Sequence, residues 1–318
     1  MTVISNDISK VIEILNNDDI VAIPTETVYG LAGNIYSEKA IRKIFQVKQR
    51  PFFNPLIVHI QSIDKIEEVV SEFPAKAQKL AKAFWPGSLT LILPKKSNIP
   101  DIITAGKDTV GVRVPNHPVT LSLLKQLSFP LAAPSANPFN RISPTSSLHV
   151  EGYFKNRISM ILEGGECKNG IESTIIGFKN NEALLYRLGS ISIEEIEKII
   201  GKIQIKNKND TTPNAPGMLA KHYAPRTKMY LVDDVEKFIK HFKNKKIGIL
   251  RFKYKMNTCS IEHLEVLSKL GDLKEAASKL YNTLHKLDRL NLEIIVAERF
   301  PDFGLGKSIN DRLERASK

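Results

Sequence analysis

The chain has 318 residues, 42% of them hydrophobic and 25% charged, a composition that excludes disordered and fibrous classes and leaves room for two domains with separate cores. Its net charge of +12 is unevenly spread, with a balance of +2 over residues 1–200, +4 over 201–226 and +6 over 227–318, so polyanions would meet a basic surface mainly in the later part of the chain. No apolar run approaches the roughly 20 residues of a bilayer span, and the opening MTVISNDISK lacks the features of a signal peptide, so no membrane association and a cytoplasmic setting are expected.

In chain order, short β-branched runs alternate with amphipathic helical patterns. IVAIP (20–24) reads as a strand, residues 37–47 as a helix, and PLIVHI (55–60), SLTLIL (88–93), VGVRV (110–114) and STIIGF (173–178) as further strands, which together predict an α/β architecture around a sheet. A helix over 193–200 stops at Gly201. The stretch 202–226 has no apolar period until GMLAKHYAP and reads as a linker. Beyond it, KMYLV, KIGIL and EIIVAE read as buried strands. A helix from Asp272 opens on an Asp-x-x-Glu capping box (Asp272, Glu275) and sets Leu273, Ala276, Ala277, Leu280, Leu284 and Leu287 on one face. The expected domains are therefore 1–201, a linker over 202–226, and a smaller Rossmann-like α/β domain over 227–318. Cys167 and Cys259 lack CxxC spacing and read as ordinary thiols rather than disulfide or zinc ligands.

Familiar nucleotide signatures fail. GLGKSIN ends like a phosphate-binding loop, but Pro301 stands where its first glycine belongs, so the stretch is expected to be a turn before a closing helix INDRLERAS. No GxGxxG, HExxH or GxSxG occurs. What remains is a set of polar and cationic segments. VKQRPFFNPLIVHI gathers Lys48, Arg50, Asn54 and His59 where a helical pattern gives way to a strand. A lysine and an arginine two residues apart in extended chain share a face and suit phosphate oxygens, with Arg50 expected to be exposed in a cleft. The same cations would equally complement a helix dipole at a surface helix end. AIPTETVYGLAG (22–33) supplies hydroxyls and a Gly-rich turn, and GVRVP places Arg113 among apolar neighbours, where an arginine needs an anionic partner. APSANPFNRISPT (133–145) packs Ser135, Asn137 and Ser143 between prolines, IESTII offers Ser173 and Thr174 at a strand start, and LLYRLG adds Arg187. Each alone is compatible with turn chemistry or a structural ion pair; together they describe a site rich in hydroxyls and cations and poor in carboxylates.

In this order PTETVYGLAG, Lys48-x-Arg50 with NPLIVHI, WPGSLTLIL, GVRVPNHP, Ser135-x-Asn137, ESTII, RLGSIS, APGMLAKHYAP and GLGKSINDRLERAS resemble the threonylcarbamoyl-AMP synthase family in its long form. The resemblance covers nearly the whole chain. It implies a YrdC-like, twisted-sheet α/β catalytic domain followed by the smaller Rossmann-like domain. It also implies that L-threonine, bicarbonate or CO2, and ATP are converted to L-threonylcarbamoyl-adenylate and pyrophosphate with Mg2+ held mainly by the ATP phosphates, and that downstream proteins use the product for N6-threonylcarbamoyl modification of tRNA. Carried over by motif, Lys48, Arg50, Asn54, Thr109, Ser135, Asn137, Ser143 and Arg187 would face the nucleotide, with Lys48 and Arg50 as the catalytic pair. Thr27, His59, Arg113, the backbone of Ala133, and Ser173 would hold threonine or its carbamate, and His222 and Tyr223 would close over the nucleotide as part of a lid.

The residues agree in charge and type. A carbamate attacking a triphosphate brings two anions together, so cations and positioning matter more than a protein acid or base. His59 is expected to bind rather than move a proton, and Glu26 and Glu172 to pair with the site's cations. PFNRIS departs from the Gly-containing turn usual after Ser-x-Asn, which puts Arg141 in that loop. Two alternatives stand beside this reading. One is a non-catalytic RNA-binding module that would use the basic linker and tail; the other is a carbamoyl-transfer enzyme with a different acceptor, although the zinc-type cysteine pairs of such proteins are missing. The synthase reading itself leaves room for weak tRNA contact.

Overall fold

The computed structural model describes residues 1–180, 182–206, 218, 222–242, 244–253 and 263–318. Cys259 and most of the stretch 202–226 thus lie outside the described residues. The strands are β1 (Val3–Ser5), β2 (Val21–Ile23), β3 (Gly30–Asn34), β4 (Ile57–His59), β5 (Leu89–Pro94), β6 (Thr109–Arg113), β7 (Leu131–Ala132), β8 (Met160–Leu162), β9 (Thr174–Lys179), β10 (Glu182–Arg187), β11 (Gln204–Ile205), β12 (Lys228–Val232), β13 (Ile247–Arg251), β14 (His263–Val266) and β15 (Ile294–Glu298). The helices are α1 (Ile8–Asn16), α2 (Glu38–Lys48), α3 (Ala75–Phe84), α4 (Asp101–Thr104), α5 (Pro118–Gln126), α6 (Ser147–Phe154), α7 (Ile193–Ile200), α8 (Val235–Ile239), α9 (Leu273–Asp288) and α10 (Leu305–Ala316).

Strands β1 to β11 form one mixed sheet in the order β1-β8-β2-β3-β7-β4-β6-β5-β9-β10-β11. Its central runs are buried throughout rather than alternating: every residue of β2 and β4 is buried, as expected of strands covered on both faces. Register then places chemistry. The parallel pairing of β4 with β6 sets His59 opposite Arg113. Antiparallel β9 and β10, with an irregularity between Leu185 and Arg187, bring the start of one beside the end of the other, so Arg187 meets Ser173. Gly30 allows the loop after β7 to close in, because a Cβ there would lie 3.0 Å from the Cβ of Ala133.

Helix α2 explains the Lys-x-Arg segment, and corrects its expected shape. Ser37 caps the helix by accepting from the Ala40 N–H, and Ala40, Ile41, Ile44 and Phe45 are buried. The helix runs through Lys48 and ends on Gln49 in the left-handed region at φ 53°, so Lys48 and Arg50 flank a helix C-cap rather than sharing a face in extended chain.

Residues 228–298 build a second, all-parallel sheet in the order β12-β15-β13-β14. The expectation of a smaller α/β domain therefore holds, with a parallel sheet in which β15 lies between β12 and β13, and with three corrections in detail. KMYLV is an edge strand with only Met229 buried, not a buried one. The capping box at α9 is half formed: Asp272 accepts from the Lys274 and Glu275 N–H groups, but the Glu275 carboxylate turns to Ser268 and Lys279. GLGKSIN belongs to helix α10 rather than a turn. Its first residues are held by Ser308 Oγ donating to Gly189 O at 2.7 Å and by Lys307 pairing with Glu194 at 3.0 Å, and Gly306 is needed because a Cβ there would lie 1.9 Å from Pro301 O.

The two sheets share a core. Val28, Ile142 and Ile171 of the first part pack in one buried cluster with Leu250, Ala276, Leu280, Leu284, Ile309 and Leu313 of the second. No helix among the described residues is long and apolar enough to cross a membrane.

Candidate active site

The turns after β2, β7 and β8 and the ends of β4, β6 and β10 converge on a partly enclosed cavity, the kind of concave site in which small molecules bind. Of the residues singled out in the sequence, Thr27, Arg50, His59, Arg113, Ala133, Ser135, Ser173, Arg187, His222 and Tyr223 line it. Glu172, expected to pair with the site's cations, also lines it, and among the described residues Thr25, Val28, Gly30, Ile57 and Pro134 complete the lining. Thr25, Val28, Gly30 and Pro134 sit inside motifs the sequence had marked, but only the folded turns reveal which of their residues face inward.

One half of the cavity is cationic. Lys48, 1% exposed, donates from Nζ to Ser135 O and Asn137 O, each at 2.5 Å. Arg50, 8% exposed and not exposed in a cleft as expected, donates to Asn54 O at 3.2 Å and Pro55 O at 2.7 Å. Both cations are thus tied to backbone carbonyls, and among the described residues neither forms an ion pair with a carboxylate. Burial, and then the neighbouring Arg50, pushes the Lys48 ammonium well below its usual range. Burial, and then Arg187, brings Arg50 down to about 9. His222 is buried over the same half. Burial first, then the charges of Arg315, Arg50, Lys48 and Arg187, hold its ring neutral, and its Nδ1 has no hydrogen-bond partner. A buried cationic group without a carboxylate is an arrangement that an anion completes.

The other half holds Arg113. Its Nη2 pairs with Glu26 Oε1 at 2.6 Å, its Nη1 donates to Thr27 Oγ1 at 2.9 Å and its Nε to Gly87 O at 3.1 Å, so the anionic partner that its burial demanded is Glu26. His59 beside it is brought down to about 3 by burial and then by Arg113, which makes it a neutral ring. Ala133 has committed its N–H to Ile57 O at 3.1 Å, leaving its carbonyl as the backbone group able to receive a ligand. Ser173 links the halves: Arg187 donates to its carbonyl from Nε at 3.0 Å and from Nη2 at 2.9 Å, and to its Oγ at 3.0 Å.

Five expected site residues are not in the lining. Lys48 lies one layer behind it, as described. Asn137 braces the following loop by donating to Pro138 O and Arg141 O, both at 2.9 Å. Ser143 donates to Glu172 Oε1 at 2.6 Å. Thr109 starts β6, four residues before Arg113, and stays outside. Asn54 is fully buried with both side-chain polar atoms lacking partners, an unsatisfied amide beside the cations. Arg141 bridges to Ala224 and donates to Pro225 O at 3.3 Å, so the loop after Ser135-x-Asn137 is fastened to the end of the linker. The residues that sequence reading missed come from the far end of the chain: Tyr281 and Arg312 both bond Glu172.

Comparison with known proteins places this geometry. Residues 13–189 match the Sua5/YciO/YrdC family model, described as telomere recombination, and residues 191–318 match the threonylcarbamoyl-AMP synthase C-terminal domain. The threonylcarbamoyl-AMP synthase of Pyrococcus abyssi is 42% identical over 313 residues, covering 94% of this chain and 90% of its own length. That of Bacillus subtilis is 38% identical, covering 98% and 92%. The crystal structure of P. abyssi Sua5 complexed with L-threonine superposes with a TM-score of 0.92 at 37% identity, covering 100% of this chain and 97% of that one. E. coli YciO, at 21% identity and a TM-score of 0.53 over 59% of this chain, shares the fold of the first part. With both family models matched in sequence, and relatives of the same name aligned along nearly its whole length, the chain belongs to the threonylcarbamoyl-AMP synthase family in its long, two-domain form.

Proposed function

We propose that the protein is a nucleotidyltransferase that makes L-threonylcarbamoyl-adenylate and pyrophosphate from L-threonine, bicarbonate or CO2, and ATP. The observation that carries this reading is the pair of buried cations, Lys48 and Arg50, which among the described residues bond only carbonyl oxygens, beside a cavity whose other half offers Arg113, Thr27 and a neutral His59. In it the triphosphate lies against Arg50, Arg187 and the Lys48-braced loop, and Asn54, Asn137, Ser135, Ser143 and Thr109 support the nucleotide side. Threonine lies against Arg113, Thr27, His59, Ser173 and the Ala133 carbonyl.

The threonine nitrogen adds to the carbon of CO2 and releases a proton, giving the carbamate. A carbamate oxygen then attacks the α-phosphorus, a new O–P bond forms, and the bond to pyrophosphate breaks with its electron pair leaving on pyrophosphate. The chain's part is to hold two anions in line and to keep water from the mixed anhydride. Arg113, already balanced by Glu26, presents its fork to the amino-acid carboxylate without a large excess of charge.

Mg2+ fits this donor set only through the nucleotide. The two carboxylates that line or border the cavity, Glu26 and Glu172, are held by Arg113 and Arg312, so the lining offers hydroxyl and carbonyl oxygens. Mg2+ would rest mainly on phosphates, where it supplies charge neutralisation. His222 and Tyr223 cover the cavity as part of a lid at the end of the linker over 202–226, with residues 1–201 as the catalytic domain and 227–318 as the smaller one. The labile product passes to tRNA-modifying proteins in the cytoplasm, with at most weak tRNA contact by this chain. RNA binding alone would leave Arg113 and His59, 4% and 2% exposed, without a use.

Pyrophosphate release by the purified protein tests the reading. Release should require both L-threonine and bicarbonate and fall with L-serine; release without threonine would sink it.

A further inference from the structure

Among the described residues that line the cavity Glu172 is the one acid, and its partners there come from three parts of the chain. Oε1 accepts from Ser143 Oγ at 2.6 Å and Tyr281 Oη at 3.0 Å. Oε2 accepts from the same Tyr281 Oη at 2.9 Å and from Arg312 Nε and Nη2 at 3.3 and 3.2 Å. Tyr281 is on α9 and Arg312 on α10, and both are completely buried. The guanidinium of Arg312 also lies 5.5 Å from the ring centre of Tyr223, which lines the cavity. Burial raises the Glu172 carboxyl, but Arg312, then Arg187 and the Ser143 hydroxyl, pull it back below the usual range, so it is an anion. The next residue, Ser173, accepts hydrogen bonds from Arg187.

A buried carboxylate facing a site for ATP and a carbamate would repel both substrates. Among the charges that lower Glu172, Arg312 comes ahead of Arg187, and its fork arrives from 140 residues later in the chain. We propose that Arg312 is a positioning residue of the reaction: by cancelling the charge of Glu172 and fixing the 172–173 peptide, it keeps the nucleotide half of the cavity cationic and Arg187 turned toward it. The smaller domain thereby contributes to catalysis electrostatically, through a residue that never touches substrate. This inference rests on the reaction proposed above.

The test is a rescue series in the full chain: Arg312→Met, Glu172→Gln and the double variant, read by pyrophosphate release, by calorimetric binding of a non-hydrolysable ATP analogue, and by thermal melting. Arg312→Met should weaken ATP, raising its KM and the analogue's Kd by about tenfold or more, while KM for threonine moves less. Removing the opposing charge in the double variant should restore ATP binding to within about threefold of the wild type. Equal damage in the single and double variants, or loss of kcat with unchanged ATP affinity, would mean that Arg312 only packs the interface and would overturn the inference. If Arg312→Met does not fold while the double variant does and binds ATP normally, the charge argument stands; if neither folds, Arg312→Lys decides, since retained charge should retain most ATP affinity and loss of it would refute the inference. The wild type separates the two levels, because absence of threonine-dependent release there would count against the proposed reaction, whereas ATP binding in the series reports on Arg312 alone.

Discussion

Arg50 and Arg113 do different work with the same side chain. Among the described residues Arg50 has only carbonyl partners, so its charge is available to an incoming anion, and Arg50→Ala should cut pyrophosphate release by about a hundredfold or more. Because it is buried and makes two hydrogen bonds, the same change should also lower stability by about 1–3 kcal/mol, measurable by denaturant unfolding; undiminished turnover would remove Arg50 from the mechanism. Arg113 is balanced by Glu26 and offers geometry, so Arg113→Lys should raise KM for threonine about tenfold while KM for ATP changes little. A change confined to ATP would reassign it. Arg113 was legible in the sequence because a cation among apolar, β-branched neighbours needs a partner, and Arg50 because it stands two residues from Lys48. The burial of Arg50 was not, since the left-handed Gln49 turns the chain inward at the helix end in a way no spacing rule anticipates. Nor was the role of Asn137 as a brace for its own loop, because Ser-x-Asn reads alike whether its amide faces a ligand or a turn.

At the scale of elements, α6 and α9 meet through His149 and His285, whose rings stack with centroids 3.9 Å apart. Burial is the main cause that brings them down to about 3 and about 4, with each ring's cationic surroundings adding to it. Both folded values lie below the unfolded one near 6.5, so the unfolded chain binds the extra protons. The stabilisation is therefore complete above about pH 6.5 and is lost as pH falls from there toward 4 and 3. Melting temperature should drop between pH 7 and pH 5, and His285→Gln should flatten that drop; an unchanged slope would exclude the stack as its source. Strands were the most readable elements, since apolar runs such as IVAIP and PLIVHI have few other uses. The closing helix was misjudged at its start because two glycines within GLGK suggest a turn, whereas Gly306 is there to let the helix pass Pro301 O. The contact of α9 and α10 with Glu172 joins residues more than 100 positions apart, and no local pattern encodes it.

Taken whole, the molecule is two sheets with a cavity walled by the first and electrostatically completed from the second. Because Val28, Ile142 and Ile171 belong to the same buried cluster as the core of the smaller sheet, calorimetry should record one unfolding transition, and Ile142→Ala should lower it by about 2–4 kcal/mol. Two separated transitions, with only one moved by the substitution, would show that the sheets are independent. The alternation of strands and helices and the ordered motifs were enough to anticipate this architecture, while the shared core was hidden because its members are distributed over the whole chain. The central claim is that a cation-lined cavity joins a threonine carbamate to AMP. Its most direct test is mass spectrometry of the product formed by the full-length protein from ATP, L-threonine and isotopically labelled bicarbonate. Threonylcarbamoyl-AMP carrying one label is expected, absent without threonine and strongly reduced in Arg50→Ala; an adenylate without the label, or ADP and phosphate in its place, would refute the proposed reaction.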